Sequence, residues 1–165
     1  SLVEGGRKEQ PENERIDTLL SSVKAGFDFI DIELSTQNIK KLVEKIKDEN
    51  SKPIVSFHNY TSTPTIQDFF GIFHRELEVG AEICKIVTMA RSLQDNLTCL
   101  EFLSKASKEK KVISFCMGEL GVSSRLLSPV FGGYSTYAST MPGRESAPGQ
   151  LPIDSMRKIY ELMGF

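Results

Sequence analysis

Apolar residues along this chain switch period repeatedly, between the spacing of a helix and that of a strand. From Pro11, which suits the first helical position, to about Ala25, the residues Ile16, Leu19, Leu20 and Val23 recur at helical intervals, and Gly26 ends the run. Residues 27–34 read as a strand. Ser35 and Thr36 are N-cap candidates for a helix through Lys40, Val43 and Ile46 to about Glu49. Residues 53–58 form a second strand. Thr63-Pro64 opens a helix carried by Phe69, Phe70, Phe73 and Leu77, which Gly80 closes. Residues 83–89 are a third strand, and Ser92 with Asp95 makes a capping-box pattern ahead of Leu97, Leu100 and Leu103. A fourth strand at 112–117 precedes a short helix around 123–127 and a weaker strand near 134–138. A loop rich in Gly, Pro and Ser, 139–150, leads to a last helix over 152–163.

Strict alternation of strand and helix, with strands recurring roughly every 25 residues, predicts parallel strands joined by crossover helices. The strands are short and nearly continuous in apolar character, as when both faces of a sheet are covered. An open doubly wound sheet and a closed (β/α)8 barrel both fit. A barrel needs eight strands and typically ~250 residues. About five strands are visible in 165 residues, so length alone favours the open sheet.

Composition narrows the class without naming a function. Hydrophobic residues at 39% and charged residues at 25% are those of an ordinary globular domain, against disorder, fibrous repeats or membrane spans. Twenty Lys and Arg against 22 Asp and Glu leave a net charge of −2 and no basic face for nucleic acid. Cys84, Cys99 and Cys116, odd in number and set in apolar runs, do not form a disulfide framework, and with two histidines a zinc site is not expected. There is no signal-peptide pattern and no apolar stretch of roughly 18 residues, so a cytoplasmic protein is expected. Ser1-Leu2-Val3-Glu4-Gly5-Gly6 has no initiator Met and no element before it, which suggests a start inside a longer protein.

Charged side chains inside a buried sheet are the informative exceptions. Glu33, His58 and Lys85 lie on three different strands, each at or past the midpoint, and α/β enzymes gather their chemistry at carboxyl ends of strands. Lys85 sits among Ile83, Cys84, Ile86, Val87 and Met89. Burial there disfavours the ammonium, and a neutral amine in an apolar site is the nucleophile for Schiff-base chemistry on a ketone. Alternatively Lys85 pairs with a carboxylate such as Glu33, or snorkels out at the strand end. His58 suits a general acid or base, or a hydrogen-bonded structural role. Glu33 either orients that imidazole or neutralises Lys85. His74 reads as a helix-surface residue with no chemistry. Arg125, just past the fourth strand, suits a bidentate grip on a carboxylate, or a surface ion pair. Gly132-Gly133 is weak evidence for a phosphate loop. Ser146–Gln150 lies in a loop long enough to be a lid.

Six segments together resemble the type I 3-dehydroquinate dehydratases: Glu4-Gly5-Gly6; Ile30-Asp31-Ile32-Glu33-Leu34; Ser56-Phe57-His58-Asn59-Tyr60; Lys85-Ile86; Met117-Gly118-Glu119-Leu120-Gly121 running on to Ser124-Arg125; and Ser146-Ala147-Pro148-Gly149-Gln150. The resemblance implies a (β/α)8 barrel, with about the last five strands in this chain, that dehydrates 3-dehydroquinate to 3-dehydroshikimate without metal or organic cofactor. It implies that Lys85 forms an imine with the substrate ketone, that His58 is the general acid and base, and that Glu33 supports His58. Arg125 would hold the substrate carboxylate, with Ser146 and Gln150 contacting substrate from the closing loop. A homodimer is the assembly expected, with neither nucleic acid nor membrane as a partner.

In the family Glu-Gly-Gly follows the third barrel strand, so residues 1–165 are expected to be one barrel domain without its N-terminal strands. The substrate-binding Arg of that third strand and the Glu and Arg of the second then have no counterpart here, and the isolated chain is expected to pack loosely and lack activity. Two other readings of the residues are a class I aldolase, which also uses a barrel lysine, and an inactive barrel remnant acting as an interaction module.

Overall fold

The computed structural model describes residues 11–165; the Glu4-Gly5-Gly6 segment lies outside the described residues. Among these, four strands alternate with helices: α1 (Glu12–Lys24), β1 (Phe29–Glu33), α2 (Ile39–Asp48), β2 (Lys52–Asn59), α3 (Ile66–Glu78), β3 (Ile83–Met89), α4 (Leu93–Ala106), β4 (Lys111–Met117), α5 (Val122–Leu127) and α6 (Ile153–Met163). The strands are all parallel and lie in chain order, β1-β2-β3-β4.

That order decides between the two architectures the periodicity left open. A doubly wound sheet reverses its strand order at a switch point, whereas a barrel wall winds one way and keeps its helices outside. Here the winding never reverses. The two faces of the sheet differ accordingly. Ile30, Ile32, Val55, Cys84, Ile86, Val112 and Cys116 point towards the helices and join one large core. The opposite face holds a smaller apolar cluster, Ile83, Val87, Ile113, Phe115 and Met117, as the filling of a barrel interior would.

The outer core is anchored by aromatic rings. Phe69, Phe70 and Phe73 of α3 meet Phe102 of α4 at centroid separations of 4.8, 5.2 and 6.0 Å. Each buried ring contributes about 1.5–3 kcal/mol of apolar transfer, which fixes α3 and α4 over β3 and β4.

Local signals shift by a few residues where tertiary contacts recruit the capping side chain. Thr65 rather than Thr63 caps α3, accepting from the Asp68 N–H at 3.3 Å, while the Thr63 hydroxyl donates to the Met89 carbonyl at 3.0 Å. Neither Ser35 nor Thr36 caps α2: Asn38, at φ 54°, precedes it, and Thr36 accepts from Arg15 at 2.8 Å. Pro11 stands one position outside α1. The Ser92/Asp95 capping box forms as expected.

The weak strand expected near 134–138 does not form a ladder. Tyr134 donates to Val112 at 2.8 Å, beside β4, and Ser139 makes an isolated parallel bridge to Pro152. Between them the Thr136 hydroxyl is spent on the Arg125 carbonyl at 2.8 Å, so the segment follows α5 rather than pairing along β4. No helix among the described residues is long and apolar enough to cross a membrane.

Candidate active site

Strand register stacks the inward-facing residues in layers. Glu33, Ser56, Lys85 and Ile113 share one layer across β1 to β4, and His58, Val87 and Phe115 share the next towards the carboxyl ends. The alternation Phe29-Ile30-Asp31-Ile32-Glu33, exposed and buried in turn, places Asp31 and Glu33 on the face opposite the helix-covered core. A cleft of about 180 Å³ opens at the carboxyl ends, lined by His58, Tyr60, Lys85, Phe115, Arg125 and Tyr137, with Ser146 and Gln150 also in its lining. The structure therefore brings five of the six expected site residues into one cleft. Glu33 is not in its lining; it faces a neighbouring cavity with Glu12, Arg15 and Ser35.

Lys85 is paired, and its partner is Asp31 rather than Glu33. Its Nζ donates to Asp31 Oδ2 at 2.7 Å, with the lysine side chain only 12% exposed. Burial alone would pull the ammonium down, as the sequence suggested. Asp31 most strongly, with Tyr137 and Tyr60, more than offsets it, so the amine is held above its ordinary range. Of the readings the sequence left open, the geometry shows the paired lysine, with Asp31 in the place expected of Glu33, and the pair favours the ammonium form. Its face towards the cleft rests on the Tyr137 ring, 5.1 Å from the centroid.

Arg125 is buried outright, at 1% exposure, so the alternative of a surface ion pair falls away. Its guanidinium lies 4.2 Å from the Phe115 ring centroid and donates to the Pro148 carbonyl at 3.3 Å, while its Nε has no partner among the described residues. Burial draws it down to about 10, against the pull of the Cys116 thiol, which leaves it cationic at neutral pH. A buried cation with donors to spare suits an anionic ligand. His58, half-buried on β2, stacks near Tyr60 with centroids 6.1 Å apart. His74 is exposed on α3, away from the cleft.

The loop of Ser146 and Gln150 is tied by packing to the end of β4. Gly149, at φ +78°, lies so close to the Gly118 carbonyl that a Cβ would overlap it, and Gly118 donates to Pro148 at 3.2 Å. Only glycine lets the loop lie against the end of β4. Ser146 donates through its backbone N–H to Gln150 Oε1 at 2.8 Å, and Gln150 Nε2 returns a bond to Ser146 Oγ at 3.0 Å. Both side chains thus hold polar groups at the cleft mouth that could exchange partners with a ligand.

Sequence reasoning missed Asp31 and Tyr137. The first had a signal, since two-residue alternation puts it on the same face as Glu33. Tyr137 had none, because only the path of the loop after α5 brings it over Lys85. Cys84, Cys99 and Cys116 are free thiols and buried. Among the described residues no cluster of three His, Cys, Asp or Glu forms a possible metal site.

Comparison with known proteins shows the family and the fold. The family model of type I 3-dehydroquinase matches residues 1–165. A 3-dehydroquinate dehydratase of Dehalococcoides mccartyi is 36% identical over 163 residues, covering 99% of this chain and 72% of that protein. One from Methanococcus maripaludis is 37% identical, over 98% of this chain and 73% of its own length. The crystal structure of 3-dehydroquinate dehydratase from Geobacillus kaustophilus superposes with a TM-score of 0.92 at 28% identity, over 99% of this chain and 65% of that one. The Clostridium difficile type I enzyme, solved with covalent modified comenic acid, gives 0.91 at 28% identity and 66% of its chain. This chain spans about two thirds of those solved chains. Its four strands and their helices are an arc of the (β/α)8 barrel of that family, and the chain belongs to the type I 3-dehydroquinases.

Proposed function

We propose that the protein dehydrates 3-dehydroquinate to 3-dehydroshikimate, in the shikimate pathway, through an imine on Lys85. The observation that carries this reading is the convergence in one cleft of a shielded lysine, a histidine and a buried arginine.

The steps follow from the groups present. Once Lys85 loses a proton, its lone pair adds to the ketone carbon. The carbonyl oxygen takes up protons and leaves as water, giving a protonated imine. That cation is a far better electron sink than the ketone, so His58 can remove the proton from the adjacent carbon; the C–H pair forms a carbon–carbon double bond and the C=N π pair moves onto nitrogen, giving an enamine. The enamine pair returns, expelling the hydroxyl on the next carbon, which His58 protonates so that it leaves as water. Water then hydrolyses the conjugated imine and frees Lys85. The net change is loss of one water from substrate.

Arg125 is the seat for the substrate carboxylate, Ser146 and Gln150 contact substrate from the loop, and Glu33 supports His58 from the layer below. The same reading carries a cytoplasmic homodimer, which light scattering on the intact protein and cell fractionation would check.

The test is reductive trapping. The intact protein, incubated with 3-dehydroquinate and borohydride, should gain the mass of reduced ligand on the peptide containing Lys85, and without borohydride should release 3-dehydroshikimate. Label on another lysine, or turnover with no trapped lysine, removes Lys85 from the chemistry; a carbon–carbon cleavage product would point to an aldolase.

A further inference from the structure

Both cations of the cleft sit on aromatic faces, and the two rings brace each other. Lys85 Nζ lies 5.1 Å from the Tyr137 centroid, Arg125 lies 4.2 Å from Phe115, and Phe115 and Tyr137 are in tilted contact at 6.0 Å. We propose that Tyr137 is a positioning residue for the Schiff-base nitrogen: its ring seats the Lys85 ammonium and then holds the positive charge of the protonated imine. This rests on the imine reading given above.

The argument turns on what each neighbour of Lys85 can still do after the imine forms. The ammonium has three N–H donors, and Asp31 accepts one of them at 2.7 Å. Condensation with a ketone replaces two of those hydrogens by a C=N bond, leaving a single donor whose direction is fixed by the plane of the imine. A carboxylate that grips through hydrogen bonds therefore loses much of its choice of geometry. An aromatic face responds to charge and needs no N–H, so it holds the nitrogen equally in both states. The contact gains strength from shielding, since the lysine side chain is 12% exposed.

The ring is also fixed in place. Tyr134 donates to Val112 at 2.8 Å, the Thr136 hydroxyl bonds the Arg125 carbonyl at 2.8 Å, and Ser139 donates to Leu151 at 2.9 Å, so the backbone on both sides of Tyr137 is tied. The groups facing Lys85 are Asp31 from β1, His58 from β2 and Tyr60 just beyond it, Arg125 from α5 and Tyr137 itself. Of these, Tyr137 is the one whose π face carries the nitrogen.

Tyr137→Phe keeps the face, while Tyr137→Leu and Tyr137→Gln remove it, at a residue that is 37% exposed. Two measurements on the intact protein separate the possibilities. Without substrate, the pH midpoint for acetylation of Lys85 by acetic anhydride, read on its peptide by mass spectrometry, should fall by about 0.5–1 unit in the Leu and Gln variants and stay in place in the Phe variant. With 3-dehydroquinate, kcat should drop ~5- to 30-fold in the ring-less variants with KM within ~3-fold, and the Phe variant should stay within ~2-fold.

Unchanged midpoints in both ring-less variants would overturn the proposal, as would a Phe variant as impaired as the Leu variant, which would assign the work to the hydroxyl. A wild-type protein that forms no adduct with 3-dehydroquinate sinks the dehydratase reading instead, and the acetylation midpoints still decide whether the ring holds Lys85.

Discussion

Two lysine–tyrosine pairs stand on neighbouring strands with the same contact and different surroundings. Lys85, in the middle of β3, rests 5.1 Å from the Tyr137 centroid; Lys111, the first residue of β4, rests 5.1 Å from that of Tyr134. Lys85 is 12% exposed and bonds a carboxylate at 2.7 Å, whereas Lys111 is 49% exposed and stands 4.0 Å from Glu82, which Lys110 also approaches. The pairwise chemistry is alike, so the difference in role comes from position. At the amino end of a strand the lysine reaches water, which screens it from every partner. In mid-strand on the inward face it meets low dielectric, a fixed anion and the cleft, and each interaction is worth several times more.

The largest expected effect comes from breaking the shielded pair at its lysine. Lys85→Met should lower kcat by on the order of 10³-fold or more, the scale seen when a covalent nucleophile is removed, and abolish borohydride trapping. Substantial turnover in that variant would break the contrast between the two lysines. Next in size, His58→Ala should slow turnover ~10²-fold or more while Lys85 remains trappable, because imine formation needs the amine and the later steps need the imidazole. A variant with near-normal kcat would take His58 out of the proton transfers.

Asp31→Asn sharpens the comparison through pH. Asp31 favours the ammonium, so replacing it lets Lys85 deprotonate at lower pH. The pH of half-maximal acetylation at Lys85 should move down by about one unit or more. The linkage to stability has a definite sign: a lysine held above its unfolded value stabilises the fold below ~10.4 and loses that contribution as pH rises through the folded value. Thermal melts should therefore show Asp31→Asn less stable than wild type near neutrality, with the gap closing in strong alkali. A gap that is constant with pH would assign the loss to packing. The smallest effect is expected at the exposed pair, where Lys111→Met should leave kcat and KM within ~2-fold, as for a solvent-screened surface charge. A larger loss would mean that the amino end of the sheet communicates with the cleft.

The periodicity of the chain, by itself, determined the order of elements, because a helix and a strand each print their own spacing on the apolar residues. Strands at 83–89 and 112–117, and the capping box at Ser92 and Asp95, were all legible for that reason. So were the chemical singularities, since Lys85, His58 and Arg125 are costly to bury among apolar neighbours unless something uses or pairs them. The periodicity could not say that the winding never reverses, which separates a barrel arc from an open sheet, because strand order is a matter of long-range pairing; in the sequence only the family resemblance pointed to the barrel. Nor could the sequence choose the partner of Lys85: Asp31 and Glu33 share one face, register sets Glu33 level with the lysine, and only the folded path of the side chains brings Lys85 to Asp31 at 2.7 Å. Tyr137 was the least legible of all. It belongs to no periodic element, and its place over Lys85 follows from three tertiary hydrogen bonds that bend the chain around the end of β4.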